Sequence, residues 1–212
     1  MKHTLYLILA LAAFLASCQS QENSRQTEPD TIPADTTAAQ PPKPPAPDST
    51  YLIVPGESIG KVKVGMYGEA LARILGEPDS SDAAMGKALY FWEGEQPAHY
   101  VSVFTVTDFG GQVEKPVVQQ VQITSPRFLT KDSIGTGKPL SEIRQKYGPL
   151  RPLAYFQNAQ RQQVYIFDNQ AQGIAFEVTL PDSLCSAITV HPKGEDMADI
   201  YLPLHPDMTR IK

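Results

Sequence analysis

Residues 65–76 read GMYGEALARILG, and residues 137–148, 72 positions later, read GKPLSEIRQKYG. This recurrence constrains the fold more than any other feature. One short amphipathic unit cannot bury its apolar face alone, whereas two units joined edge to edge can. At this offset Leu71 meets Ile143, Leu75 meets Tyr147 and Gly76 meets Gly148, while Pro149 echoes Pro78 one residue out of phase. Leu71 and Leu75 share a helix face at i, i+4, as do Ile143 and Tyr147, with Leu140 one turn earlier. Gly76 and Gly148 stand where a helix closes through a left-handed residue. A proline soon after each forbids continuation, and Gly65 and Gly137 mark the turns into the helices. Each copy therefore predicts one short helix.

Strand patterns follow each helix. In the first copy they cover Ala88–Trp92, Ala98–Val106 and Val117–Thr124, with the turn Asp108-Phe109-Gly110-Gly111 between the last two. In the second they cover Gln163–Phe167, Ile174–Thr179 and Ala187–Val190. Ile174, Phe176 and Val178 alternate with Ala175 and Glu177; Val121 and Ile123 alternate with Gln120 and Gln122. Such alternation predicts antiparallel strands with one covered face and one wet face. The expected class is α+β: two tandem helix-plus-antiparallel-strand repeats, 51–127 and 128–212, the second carrying a C-terminal extension.

The N-terminal region has a different logic. Lys2 precedes an apolar run from Leu5 to Leu15, which is the layout of a secretory signal peptide. Eleven apolar residues are too few to cross a bilayer core, which needs about 20 in a helix. Residues 19–50 contain seven prolines in 32 positions, and Ile32 is their only large aliphatic side chain. That composition cannot bury enough apolar area to offset its ordering entropy. Its PPKPPAP stretch, 41–47, favours an extended polyproline spacer. The segment is expected to act as a tether.

The net charge is −5, of which −3 belongs to residues 51–212. A mildly acidic domain lacks the basic footprint of nucleic-acid binders and gains nothing from anionic lipid. No catalytic constellation emerges. Ser58-Ile59-Gly60-Lys61 spells S-x-x-K, but Gly60 and Val62 make a poor helix start. Gly135-Thr136-Gly137-Lys138 lacks the leading glycine and the trailing hydroxyl residue of a phosphate loop, having Asp132 and Pro139 there. Glu93 and Glu95 flank Gly94 in a turn with nothing requiring them to converge. His191 and His205 stand fourteen apart, each before a proline, which is not zinc-ligand spacing, and both are expected in solvated loops. Cys185, within Leu184–Ile188, is expected to be a small core residue. No metal, cofactor or catalytic residue is expected.

Two resemblances sharpen these expectations. Leu15-Ala16-Ser17-Cys18 resembles a bacterial lipobox. That likeness implies cleavage between Ser17 and Cys18 and acylation of Cys18, whose several chains would hold the protein firmly on a membrane. Gln19 in place of Asp implies the outer membrane, on either face.

The Gly–helix–Gly-x-Pro units with their aromatic-rich strands, over roughly 58–192, resemble the beta-lactamase inhibitory protein and the small barrel-assembly lipoproteins of the BamE type. Tyr67 and Pro139 replace the Ser or Thr caps usual there, and the inhibitor's paired cysteines have no counterpart. This likeness implies that the half-sheets join into one curved antiparallel sheet, with helices on one side and the concave side free for a partner. Tyr90 and Trp92 share one strand face, opposite Phe91, and Tyr165 lies opposite Val164 and Ile166. If the aliphatic faces are core, Tyr90, Trp92 and Tyr165 are the expected partner-binding residues. The expected function is a non-enzymatic outer-membrane lipoprotein that binds an envelope protein. The alternatives are a structural accessory to outer-membrane assembly and an envelope hydrolase with an unrecognised site.

Overall fold

The computed structural model describes residues 48–111, 114–197 and 205–211. Ser17, Cys18 and the tether up to residue 47 lie outside the described residues. The first described element is a 3-10 turn at Ser49–Tyr51. Strands β1 (Leu52–Val54), β2 (Ser58–Ile59) and β3 (Val62–Lys63) follow as a small meander. Then come helix α1 (Leu71–Leu75) and four antiparallel strands: β4 (Ser80–Ala84), β5 (Lys87–Glu93), β6 (Tyr100–Thr107) and β7 (Pro116–Ile123). A short β8 (Leu129–Thr130) leads to helix α2 (Leu140–Tyr147) and to β9 (Arg151–Gln157), β10 (Gln163–Asn169), β11 (Ile174–Thr179) and β12 (Leu184–Val190). Strand β13 (Thr209–Arg210) ends the described chain.

These strands form two sheets. The larger has nine strands in the order β13-β9-β10-β11-β12-β7-β6-β5-β4; the smaller has the order β3-β2-β1-β8. The two four-strand meanders meet where β12 pairs antiparallel with β7, with Ile188 opposite Ile123 and Val190 opposite Val121. Each turn into a helix is tied to the last strand of its own meander. The Gly65 N–H donates to the Val118 carbonyl at 2.8 Å, and the Gly137 N–H to the Cys185 carbonyl at 2.7 Å. Gly76 and Gly148 close the helices at φ +84° and +71°, a backbone region that costs a Cβ-bearing residue energy.

The expected fold class is corrected by this architecture. The described residues are mostly β, about 44% strand against 12% helical, and they form two sheets. It is not a helix-plus-strand repeat fold with helices covering one side. The physical reason is length. α1 has five residues and α2 eight, so at about 1.5 Å per residue they are roughly 8 and 12 Å long. Nine strands about 4.8 Å apart span roughly 38 Å, which such helices cannot cover. The sequence preceding α1 starts instead as a 3-10 turn at Gly68–Ala70, because Tyr67 is drawn into a bridge with Val117. Most of the remaining cover comes from the small sheet, which the sequence analysis did not foresee.

Both faces of the large sheet are closed over its centre. On one, Leu71, Ile143 and Tyr147 of the helices and Ile53, Ile59 and Val62 of the small sheet pack with Val103, Val121, Phe176 and Ile188. On the other, Leu153, Phe156, Val164 and Ile166 pack with Met197 and Met208 of the C-terminal stretch. β11 is accordingly buried from Ile174 through Val178, so its alternation does not divide a dry face from a wet one. No described helix is long and apolar enough to cross a membrane.

Candidate functional site

The described surface has two clefts worth weighing. The first, about 330 Å³, is built from the β5–β6 connection, the segment between β7 and β8, and the 3-10 turn at the start of the folded chain. Asp48 fixes that turn. Its carboxylate accepts from the Thr50 N–H at 2.9 Å and its carbonyl from the Tyr51 N–H at 3.0 Å. The hydrogen bonds from Thr50 hold the Asp48 carboxyl below its usual range. Tyr51 thereby meets Phe128 edge to face, with centroids 5.3 Å apart. The Arg127 guanidinium lies 4.2 Å from the Tyr51 ring centre and donates to its hydroxyl.

The opposite wall is equally well held. Gly94 and His99 close the β5–β6 connection through a 2.6 Å N–H···O bond. A Cβ on Gly94 would stand 3.0 Å from the His99 carbonyl oxygen, a close approach that glycine makes without displacing the loop. Behind the loop, the Thr124 hydroxyl donates to the Ala98 carbonyl at 2.8 Å and accepts from the Tyr100 N–H at 2.9 Å. Trp92 forms part of the lining, and its indole N–H donates to the Gly76 carbonyl at 3.0 Å. Glu93 and Glu95 stand exposed on the rim, and neither is in an ion pair with a described residue. The result is an aromatic depression, braced on both sides, with two free carboxylates at its lip. Ligand sites have this composition: apolar walls with a few fixed polar groups.

The second cleft is larger, about 770 Å³, between β1, the end of α2 and the turn at Ala171–Gln172. The Lys193–Glu57 ion pair, 3.2 Å, closes part of its rim, and its one aromatic wall residue, Tyr147, is buried in the core. It offers mixed charge and little ring surface, so the first cleft is the stronger candidate.

The residues singled out from the sequence fall as follows. Trp92 is only 8% exposed and Tyr90 is half-buried, both packed into the core on the helix side of the sheet, with centroids 6.1 Å apart. Tyr165 is half-buried between Tyr155 and Phe167, at 5.6 and 6.1 Å. It lines neither cleft. Strands β5 and β10 are five places apart in the sheet order, roughly 24 Å at the usual spacing, so the three aromatics do not meet. Ser58 is a buried residue of β2 rather than a helix-borne nucleophile. Cys185 is buried, and its thiol points 3.3 Å from the Ala187 carbonyl; burial pushes its pKa well above the usual thiol range. It should therefore resist alkylation by iodoacetamide at pH 8 until the chain is unfolded in urea. Rapid labelling of native protein would show that the site opens.

The two histidines correct the expectation of solvated loops. His191 and Asp168 both have fully buried side chains, with Nε2 of the ring 2.9 Å from Oδ1. His205 stacks on Phe156 at 3.6 Å and lies 3.1 Å from Glu177 Oε1. Glu177 also accepts from Gln122 Nε2 at 2.9 Å, and Gln122 accepts from the Tyr100 hydroxyl at 3.1 Å. Burial holds the Tyr100 phenol well above its ordinary range, with the Glu177 charge adding to the shift. Asp168 and Glu177 were not expected from the sequence as structural acids. A signal existed: Asp168 is in phase with Val164 and Ile166, and Glu177 with Ala175, so each carboxylate sits at an inward strand position. Asp168 and His191 tie β10 to the residue after β12, and His205 ties the C-terminal stretch to Glu177 of β11. Among the described residues no group of three or more His, Cys, Asp and Glu could hold a metal ion.

No family model matches the chain, and no curated protein matches it. Among solved structures it is similar to the crystal structure of a DUF4309 family protein, YjgB, from Bacillus subtilis subsp. subtilis str. 168. The match has 13% identity and a TM-score of 0.40, over 65% of this chain and 88% of that one. At that level the likeness carries no argument about function, and the reading of this protein rests on its own geometry.

Proposed function

We propose that this protein is a lipid-anchored, non-enzymatic module of the outer membrane that binds another envelope protein through the aromatic cleft between the β5–β6 connection and Tyr51. The observation that carries the reading is the cleft itself. Tyr51, Trp92 and Phe128 line it, while Glu93 and Glu95 stand exposed at its lip. Aromatic side chains are the usual energetic anchors of an interface. Hydrogen bonds brace both walls before any partner arrives, which lowers the ordering cost of association. Support for the anchor comes from the lipobox-like Leu15–Cys18 sequence. Support for a spacer comes from the proline-rich composition of residues 19–50.

Two measurements test it. Labelled palmitate should enter the wild-type protein and not a Cys18→Ser variant, which should also leave the membrane fraction. Equal labelling of both would remove the anchor from the proposal. A photo-cross-linking amino acid at Gln96, in the cleft, should capture one dominant envelope protein. The same group at Gln160, exposed in the β9–β10 turn, should not. Identical capture profiles from the two positions, or none from either, would remove the cleft as the binding site.

A further inference from the structure

We infer that the adjoining tips of the β4–β5 and β6–β7 hairpins, which carry Met85 and Phe109, dip into the surface of the lipid bilayer that holds the chain. This rests on the anchor proposed above. It concerns the end of the sheet opposite the cleft.

Met85 and Phe109 are the most exposed large apolar side chains among the described residues, at 93% and 67%. Ala84 pairs with Lys87, so Met85 and Gly86 alone make the β4–β5 turn. Both have positive φ, +49° and +76°, as a type I′ hairpin turn requires. Asparagine, aspartate or glycine is the favoured residue at the first of these positions, because other side chains pay conformational energy there. Met85 thus serves neither the turn nor a core, and a strained position held by an exposed apolar residue points to a contact made outside the chain. Phe109 is fixed beside it. The Thr107 N–H donates to the Gly86 carbonyl at 2.6 Å, and a Cβ on Gly86 would stand 2.3 Å from the Phe109 ring. The two side chains form one apolar knob on two tips tied together.

The surroundings of the knob suit a bilayer surface. Lys87 follows Gly86 directly and is exposed. At the start of β7 the exposed Lys115 lies 5.7 Å from the Tyr67 ring centre and pairs with Glu69. Tyrosine and lysine are the side chains of the headgroup zone, where an apolar body sinks and a polar end stays wet. Asp108 and Glu114 stand exposed in the β6–β7 connection, so charge gives no net pull toward anionic lipid, and the contact is apolar. Reach favours lipid over other occupants. Residues 19–47, extended at about 3.1 Å per residue, keep the folded part within roughly 90 Å of the anchoring bilayer, so lipid is the apolar phase always at hand. The seven residues of β5 separate the knob from the cleft by roughly 20 Å. With the tips down, the cleft faces away from the bilayer, where a partner can enter it.

The test places an environment-sensitive dye on Ala84→Cys in the full-length chain, reconstituted into phosphatidylcholine vesicles. The remaining native thiol after acylation of Cys18 is Cys185, which is buried. Blue-shifted emission, quenched by spin-labelled lipid, is expected at Ala84→Cys; water-like emission is expected from the same dye at Gln160→Cys. In a Cys18→Ser chain added to the same vesicles, Met85→Asn with Phe109→Asn should weaken partitioning at least about tenfold, because two large apolar side chains leave the lipid. Asparagine suits the turn better than methionine, so the thermal midpoint should not fall. Raised salt should change little. Water-like emission from the anchored, palmitate-labelled chain would overturn this inference and leave the anchor and the cleft standing. If Cys18 takes no palmitate, the Cys18→Ser chain still decides: a lipid-dependent shift sustains the inference and its absence overturns it. A shift with native outer membranes but none with protein-free vesicles would give the knob to a protein. A shift without vesicles that grows with protein concentration would give it to a second copy. Either would overturn the inference.

Discussion

Replacing Trp92 by alanine should lower the unfolding free energy by about 3–5 kcal/mol, the usual cost of deleting a large buried aromatic side chain. The indole is 8% exposed and packs in the main core with Tyr90, Leu71, Val101 and Val103 around the same face of the sheet. Its N–H also carries the 3.0 Å bond to Gly76. That bond joins β5 to the residue closing α1, so the single side chain ties helix to sheet. Trp92→Phe retains much of the ring and removes only the donor, leaving one carbonyl to find water; about 1–2 kcal/mol is expected. Urea unfolding followed by circular dichroism, with the slope checked for constancy, measures both. If Trp92→Ala cost less than about 1 kcal/mol, the indole would be a surface group. Its role would then be confined to ligand contact. Because the alanine variant damages fold and cleft together, binding is better probed at Glu93 and Glu95.

How much of this was legible in the chain can be argued element by element. Helix closure at Gly76 and Gly148 was readable because a left-handed residue followed by proline leaves few alternatives. The six strand patterns coincide largely with β5, β6, β7, β10, β11 and β12, since each carries a run of β-branched or aromatic residues. β4 was not readable: Ser80–Ala84 is fully exposed and has no apolar period, and it is a strand only because β5 pairs with it. The small sheet was hidden for a similar reason. Its strands have two or three residues, below the length at which alternation means anything, and β1 pairs in parallel with β8, some 77 positions away. The class was misjudged because helices of five and eight residues are too short to cover the sheet, and the wet face was misjudged because the C-terminal stretch covers it, which nothing local to Met197 or His205 announces. The cleft was half visible. Trp92 was singled out, but Tyr51 and Arg127 meet it only through the turn set by Asp48 and the long-range placement of the segment after β7.

The other large effect should come from the buried pair on the far face. Asp168→Leu or His191→Leu alone should cost about 3–5 kcal/mol, because each strands its partner in a fully buried site. Nδ1 of His191 lies 3.0 Å from the Pro192 carbonyl and Nε2 lies 2.9 Å from Asp168 Oδ1. Asp168 Oδ2 has no hydrogen-bond partner among the described residues, so the pair rests on the contact between Nε2 and Oδ1 and on the carbonyl contact. Removing the imidazole leaves a carboxyl group with neither oxygen satisfied, and removing the carboxyl group leaves Nε2 facing nothing. Replacing both together, Asp168→Leu with His191→Leu, removes the polar groups along with their desolvation and should cost well under the sum of the single changes. A double-mutant cycle in urea reads this directly. The double change is expected to cost several kcal/mol less than the sum of the two single changes; additive single effects would mean that the two side chains act separately and that the 2.9 Å contact contributes nothing to joining β10 to the residue that follows β12.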